Sequence, residues 1–385
     1  MTPQSPHSDQ SAAADQTGQP DLGVTNSVAT GDVDEVTGPR LLLETRPEVI
    51  YAAIYDELPF PNLGPRQDFV FDLGVTALED SFHLVGLVVR GFAGHQMLFE
   101  QRWPERILRE KSGLPDLEIP AGTGIALRAM HFQLHGYEAV TMLELTAVAK
   151  RAGATENGQA QLHVAVEHPQ QRTDIHFPLE GAWWAIQAGD WSDLHKLEVI
   201  SQPFAIDFVK LGPDSETFHG SGSNLEDHYS WDQPVYAAAG GKVAYAVYDM
   251  PDAQPGTVID PLVYRGDPRR LLGNAIAISH GNGEFSFYAH LQQAGLRVRY
   301  GDLVRRGTEI ARVGNSGHSP GPHLHLHLMN GPNLQLDQGL PLKISHFWAA
   351  GQFFQQPTTI PTRMIVKGLA REQGSNPDSN PDREA

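Results

Sequence analysis

Gly317-His318-Ser319-Pro320-Gly321-Pro322-His323-Leu324-His325-Leu326-His327-Leu328 is the stretch whose reading decides the fold. Three histidines alternate with three leucines, which is the period of a β-strand, where successive side chains point to opposite faces. His323, His325 and His327 therefore line one face, and Leu324, Leu326 and Leu328 the other. The leucine face can bury. The other face offers imidazoles at two-residue intervals, roughly 6.5–7 Å apart. That spacing suits one metal ligand beside one acid–base group and is too wide for neighbouring histidines to hydrogen-bond directly. The pattern points to a metal-assisted hydrolase with its site on a sheet.

The rest of the 385-residue chain fits that class and excludes others. It can hold two or three domains. It carries 28 Lys and Arg against 46 Asp and Glu, a net charge of −18, which argues against nonspecific binding to nucleic acid or to an anionic membrane. There are no cysteines, so a thiolate metal site and a cysteine nucleophile are excluded. The N-terminus has neither a basic start nor an apolar run, so no secretory signal is expected there. No stretch approaches the ~18 consecutive apolar residues of a membrane span. Oligomeric state is not legible.

Strand-like runs dominate. Residues 1–38 and 371–385 are polar and rich in Ser, Asp, Gly, Gln and Pro, and read as disordered arms. Between 39 and 189, runs such as Phe82–Val89, Ala139–Leu145 and Gln161–Val166 predict an antiparallel β-domain resembling a sandwich. Residues 100–111 read as a short helix or an irregular excursion. From 190 to 345, short strands recur: Pro234–Ala238, Lys242–Val247, and Asn274–His280 returning through Gly281-Asn282-Gly283 as a hairpin. No long helical pattern alternates with them, so a parallel α/β sheet is not expected. Residues 346–370 read as a segment packing back on either domain. The fold class is all-β.

Four pieces, in order, resemble the LytM/lysostaphin-type zinc metallopeptidases of family M23. They are Pro234-Val235-Tyr236-Ala237 with Gly240, Gly241 and Val243; Ser279-His280-Gly281 through Tyr288-Ala289-His290-Leu291; Val304 to Gly307; and Gly314 through Leu326. The resemblance covers about a third of the chain and implies a LytM-like antiparallel sheet in its C-terminal half. It implies that His325 is a zinc ligand, and that His323 and His290 are its non-ligand catalytic partners. These would position and deprotonate a water and stabilise the tetrahedral intermediate. Zn2+ would polarise the carbonyl and acidify the water. For the remaining two ligands, the family's His-x-x-x-Asp leaves two sets open. Asp207, in Phe204-Ala205-Ile206-Asp207-Phe208, would pair with His195, and this set is favoured. His228 with Asp232 has the ordinary spacing, but Asp232 lies only two residues before Pro234.

By resemblance, the function is that of a zinc-dependent endopeptidase acting on peptide or peptidoglycan, outside the cytoplasm. The alternatives are an inactive peptidoglycan-binding or regulatory protein on the same fold, and a zinc peptidase or amidase with another substrate. His327 reads as a group supporting a ligand or as a half-buried strand residue, His280 as structural, and His318 as a loop residue beside the site.

Overall fold

The computed structural model describes residues 40–55, 65–136, 138–188, 201–257 and 269–370. The two terminal arms and His195 lie outside the described residues. Period-2 burial in the long Arg66–Ala77 strand sets up the first body, because every second side chain faces inward. This strand pairs antiparallel with Leu41–Arg46, Ala53–Tyr55 and Gly124–His135. A second sheet runs Ile50–Tyr51, Asn157–Glu167, Met142–Arg151, Phe82–Ala93 and Gln96–Pro104, with Glu118–Ile119 on Phe82–Ala93. The two sheets share one apolar core, including Phe69, Phe71, Leu73, Leu84, Leu127 and Leu145. Phe132 anchors it, with its ring stacked on Phe69, Phe71 and Trp103. The ambiguous stretch at 100–111 resolves into the end of the Gln96–Pro104 strand and a helix, Glu105–Ser112, stopped by Gly113 in the left-handed region.

The second body is an 11-stranded sheet. Its order is Leu303–Val304, Gly241–Val247, Asn274–Ser279, Phe285–Leu291, Leu324–Met329, Ile206–Lys210, Gly181–Gln187, Ile365–Gly368, Phe347–Ala349 and Gln352–Phe354, with Gly339–Leu340 on Leu324–Met329. Among the described pairings of this sheet, all are antiparallel. Sheet membership changes in the connection at 168–174: Ile175–His176 pairs with Ile344–Ser345, and Ile175, Phe177, Leu179, Trp183 and Ala185 all sit in the second core. The segment after 345 supplies three strands of this same sheet. A separate Pro234–Tyr236 and Glu309–Arg312 pair lies beside it.

The two bodies touch just before the strand that carries Asp207. Phe204 packs with Ala53 and Tyr55, and Asn330 Nδ2 donates to the Tyr51 hydroxyl at 3.4 Å. Among the described residues, no helix is long and apolar enough to cross a membrane.

Trp183 tests the assignment of residues 175–188 to the second core. It is fully buried there, and its indole N–H donates to the Glu180 carbonyl at 2.9 Å. Trp183→Ala is expected to cost about 3–5 kcal/mol, read from the urea midpoint. A loss within the ±0.5 kcal/mol typical of surface sites would contradict that placement.

Candidate active site

Strand register builds the site. Asp207 pairs with His325, and His325 with Ala289, so these three project to one face of adjacent strands. Ile206, Leu326 and Tyr288 occupy the next row and face the core. The Leu324–Met329 strand is buried along its whole length, so the histidine face is enclosed as well as the leucine face.

His290 reaches the site by a different device. Alternation would send it to the face opposite Ala289. The register slips between Asn274 and Ile276, where two residues of the partner strand, Ala289 and His290, stand against Ala275 alone. This is a β-bulge, and bulges re-aim side chains beside active sites. His290 takes φ of 56°, a left-handed conformation that costs a non-glycine residue free energy. Its ring lies 4.6 Å from that of His323 and 5.7 Å from that of His325.

Hydrogen bonds fix the proton positions of both proposed catalytic imidazoles. His290 Nδ1 is 2.8 Å from the Ser316 carbonyl, and His323 Nδ1 is 2.9 Å from the Gly321 carbonyl. A carbonyl only accepts, so each Nδ1 donates and each neutral ring carries its lone pair on Nε2. His323 Nε2 then points at Asp207 Oδ1, 3.6 Å away. Burial first, and then the neighbouring His323 and His325, hold His290 well below its ordinary pKa, with the Ser316 carbonyl and Asp207 pulling the other way. His290 is thus a neutral base at pH 7.

The loop that presents these carbonyls is itself clamped. Asp252 accepts from the backbone N–H of Asn315 at 2.7 Å and of Gln293 at 3.0 Å. Ser319 Oγ donates to Asn315 Oδ1 at 2.6 Å and lies 3.1 Å from His323 Nδ1. Gly273 and Gly317 let two backbone segments approach: a Cβ on Gly317 would meet the Gly273 nitrogen at 2.4 Å. Asp252 lies outside every stretch that carried the resemblance, whereas Asn315 and Ser319 lie within Gly314 to Leu326 but had no role assigned to them.

Asp207 Oδ1 lies 3.0 Å from His325 Nδ1 and is 6 % exposed. Two zinc ligands at roughly 2.0–2.1 Å in tetrahedral array stand about 3.3 Å apart. The carboxylate and the imidazole nitrogen therefore have the spacing and the chemistry of a shared zinc. His195 lies outside the described residues. Of the alternative pair, His228 Nε2 is hydrogen-bonded with the Gly222 carbonyl at 3.0 Å, and Asp232 sits at φ of 57°, its backbone N–H donating to Val313. One sequence-based expectation is corrected. His325 Nε2 and His327 Nδ1 are 3.0 Å apart, a direct hydrogen bond, because the two imidazoles lean toward each other and span the Cα separation. His280 is structural, with Nδ1 2.9 Å from the Gly240 carbonyl and Nε2 3.0 Å from Ser286 Oγ.

Asp174, His176 and His346 form a second group whose donor atoms lie within 4.8 Å of one another. Its members are already engaged. Arg306 Nη1 donates to His176 Nε2 at 2.9 Å, Ser345 Oγ donates to Asp174 at 2.6 Å, and the two imidazoles stack at 3.6 Å. A guanidinium against the imidazole nitrogen opposes a cation there.

Residues 227–337 match the family described as Peptidase family M23. The match takes in His290, His323 and His325, and Asp207 lies upstream of it. The chain is 32% identical over 111 residues to peptidoglycan DD-endopeptidase ShyB of Vibrio cholerae, covering 28% of this chain and 21% of that one. It is 42% identical over 57 residues to ShyA of the same organism, covering 15% and 13%. The chain thus spans about a fifth or less of the length of these relatives. The catalytic domain of lysostaphin from Staphylococcus simulans overlays with a TM-score of 0.23 at 22% identity, covering 37% of this chain and 80% of that one.

The Asp174 group yields a pH prediction. Burial, and then Arg306, push the His176 pKa from 6.5 down to about 4. Between those values the unfolded chain binds a proton that the folded chain does not, so stability falls as pH drops from 6.5 toward 4. His176→Gln is expected to flatten that part of the profile of urea midpoint against pH. An unchanged slope would contradict the assignment.

Proposed function

We propose that this chain is a zinc-dependent endopeptidase that hydrolyses peptide bonds in the peptide part of peptidoglycan. The observation that carries the reading is the convergence of Asp207 Oδ1 on His325 Nδ1 and His323 Nε2 in a buried site, beside a His290 whose proton is locked on Nδ1. His325 and Asp207 would hold the zinc, with His195 assigned as third ligand from the sequence. When bound, zinc polarises the scissile carbonyl and acidifies the attacking water.

The protein's own groups do the rest. The Nε2 lone pairs of His290 and His323 accept hydrogen bonds from a water held between them, orient it, and one of them takes its proton. The resulting imidazolium faces the oxyanion and stabilises it, then returns the proton to the leaving amine. The depressed basicity of His290 suits this cycle, because a base that holds its proton weakly gives it up in the second half. The likeness to ShyA and ShyB, both named as peptidoglycan DD-endopeptidases, supports the substrate class, and a site of action outside the cytoplasmic membrane is part of the same proposal.

Wild-type protein is expected to hold about one zinc per chain and to release soluble fragments from purified cross-linked peptidoglycan. Asp207→Ala and His325→Ala should lose the metal and the cleavage together. His290→Ala and His323→Ala should keep the metal and lose cleavage by about 10²–10⁴-fold. A zinc-loaded wild type that binds peptidoglycan without cleaving it would replace this reading with that of a binding protein.

A further inference from the structure

The metal face of the Leu324–Met329 strand carries one more imidazole than a ligand and a base require. His327 is 1 % exposed and lies on the same face as His325 and Asp207. Its Nδ1 is 3.0 Å from His325 Nε2. Its ring stacks on Phe287, its partner on the neighbouring strand, at 4.9 Å and 9° between planes. Phe287 in turn packs against Tyr245, and both belong to a small apolar cluster with Leu272, Ala275, Ala277 and Met329. His327 is thus held by a rigid wall and aimed at the far nitrogen of His325.

Proton bookkeeping gives that contact a direction. His325 faces Asp207 through Nδ1. An imidazole that gives its Nδ1 lone pair to a cation must carry its proton on Nε2 if it is neutral. That proton points at His327 Nδ1, which must then be the lone-pair nitrogen of its own ring. A hydrogen bond from the far N–H of a ligating imidazole fixes its tautomer and orientation and raises its basicity. Carboxylates and backbone carbonyls are the usual acceptors, and here the acceptor is a second neutral imidazole, which adds no charge to the buried site.

We propose that His327 is a positioning residue for the metal. It accepts the Nε2–H of His325, holds that ring in the tautomer whose Nδ1 faces Asp207, and so sets the affinity of the site for zinc. The inference rests on the zinc reading of the site given above. A chain of two imidazoles also predicts which substitutions rescue. Asparagine places an amide oxygen where histidine places Nδ1, so it can accept the same hydrogen bond. Phenylalanine keeps the ring and its stack on Phe287 but offers no acceptor.

The test is zinc affinity of the full chain, measured by competition with a chromophoric chelator, for wild type, His327→Phe and His327→Asn. Apo-protein melting temperatures would be recorded beside it. His327→Phe is expected to bind zinc about 10–100-fold more weakly, and His327→Asn to stay within a few-fold of wild type. With cobalt(II) as the probe, the visible absorption band should shift in the phenylalanine variant and be retained in the asparagine variant. Should the phenylalanine ring disturb the fold, His327→Leu gives the same comparison without an aromatic ring. Equal zinc affinity in wild type and both apolar variants overturns the proposal while leaving the zinc site standing. An asparagine variant as weak as the apolar ones, with its melting temperature unchanged, also overturns it. A wild-type chain that takes up no zinc overturns this proposal and the peptidase reading together.

Discussion

The lateral pairing of Leu324–Met329 between Ile206–Lys210 and Phe285–Leu291 is the constraint on which the site depends. Three strands in fixed register put Asp207, His325 and Ala289 in one row. A slip of one residue in either pairing would send the whole histidine set to the leucine side, because side chains alternate with a period of two. The leucines prevent that slip. Leu324, Leu326 and Leu328 are fully buried in the second core, and each contributes on the order of 1.5–3 kcal/mol by its burial. Register is thus set by apolar area on one face and used by polar chemistry on the other.

A regular sheet could not assemble all of the proposed machinery. Asp207 and His325 lie on the strands' proper face, whereas His290 belongs to the opposite phase. The bulge at Ala289–His290 resolves this at the cost of a left-handed histidine. Two features hold the strained residue in place. The Ser316 carbonyl accepts from its Nδ1, and Gly314 donates its backbone N–H to the His290 carbonyl at 3.0 Å. Ser316 is anchored in turn, its hydroxyl donating to the Leu291 carbonyl at 2.8 Å and accepting from the Asn274 N–H at 2.9 Å. The 314–317 loop therefore shapes the site through its backbone, which explains why it is rich in glycine and small polar residues.

What could be read from the sequence follows from the range of each signal. The alternation at 323–328 is local, and it placed the strand and both of its faces correctly. The hairpin through Gly281-Asn282-Gly283 was legible for the same reason: both strands and the turn lie within twenty residues or so. Long-range pairing was not legible. Nothing near Gly181–Gln187 says that it will pair with Ile206–Lys210 and not with the preceding sheet, and nothing in Phe347–Ala349 names Ile365–Gly368 as its partner. The contact between His325 and His327 was misjudged because Cα spacing alone ignores how far two imidazole rings extend. The bulge at His290 leaves no trace in residue type, since its cause is the register of the neighbouring strand.

The burial that makes this site precise also makes it costly. Asp207 is a carboxylate largely withdrawn from water, and His290, His323, His325 and His327 are still more enclosed. Desolvating a carboxylate is unfavourable by several kcal/mol unless opposite charge or hydrogen bonds compensate. Protonating the imidazoles would supply the charge, but the same burial and mutual repulsion hold His290 neutral. A divalent cation held by Asp207 and His325, as proposed, would resolve the conflict: it would offset the carboxylate's charge and use the imidazole lone pair. On the proposed reading, a metal would balance the electrostatics of the site and proton transfer would fall to rings that the metal does not need. The extra imidazole at position 327 fits that reading, because a neutral acceptor would support the proposed ligand without bringing a second negative charge into the enclosed face.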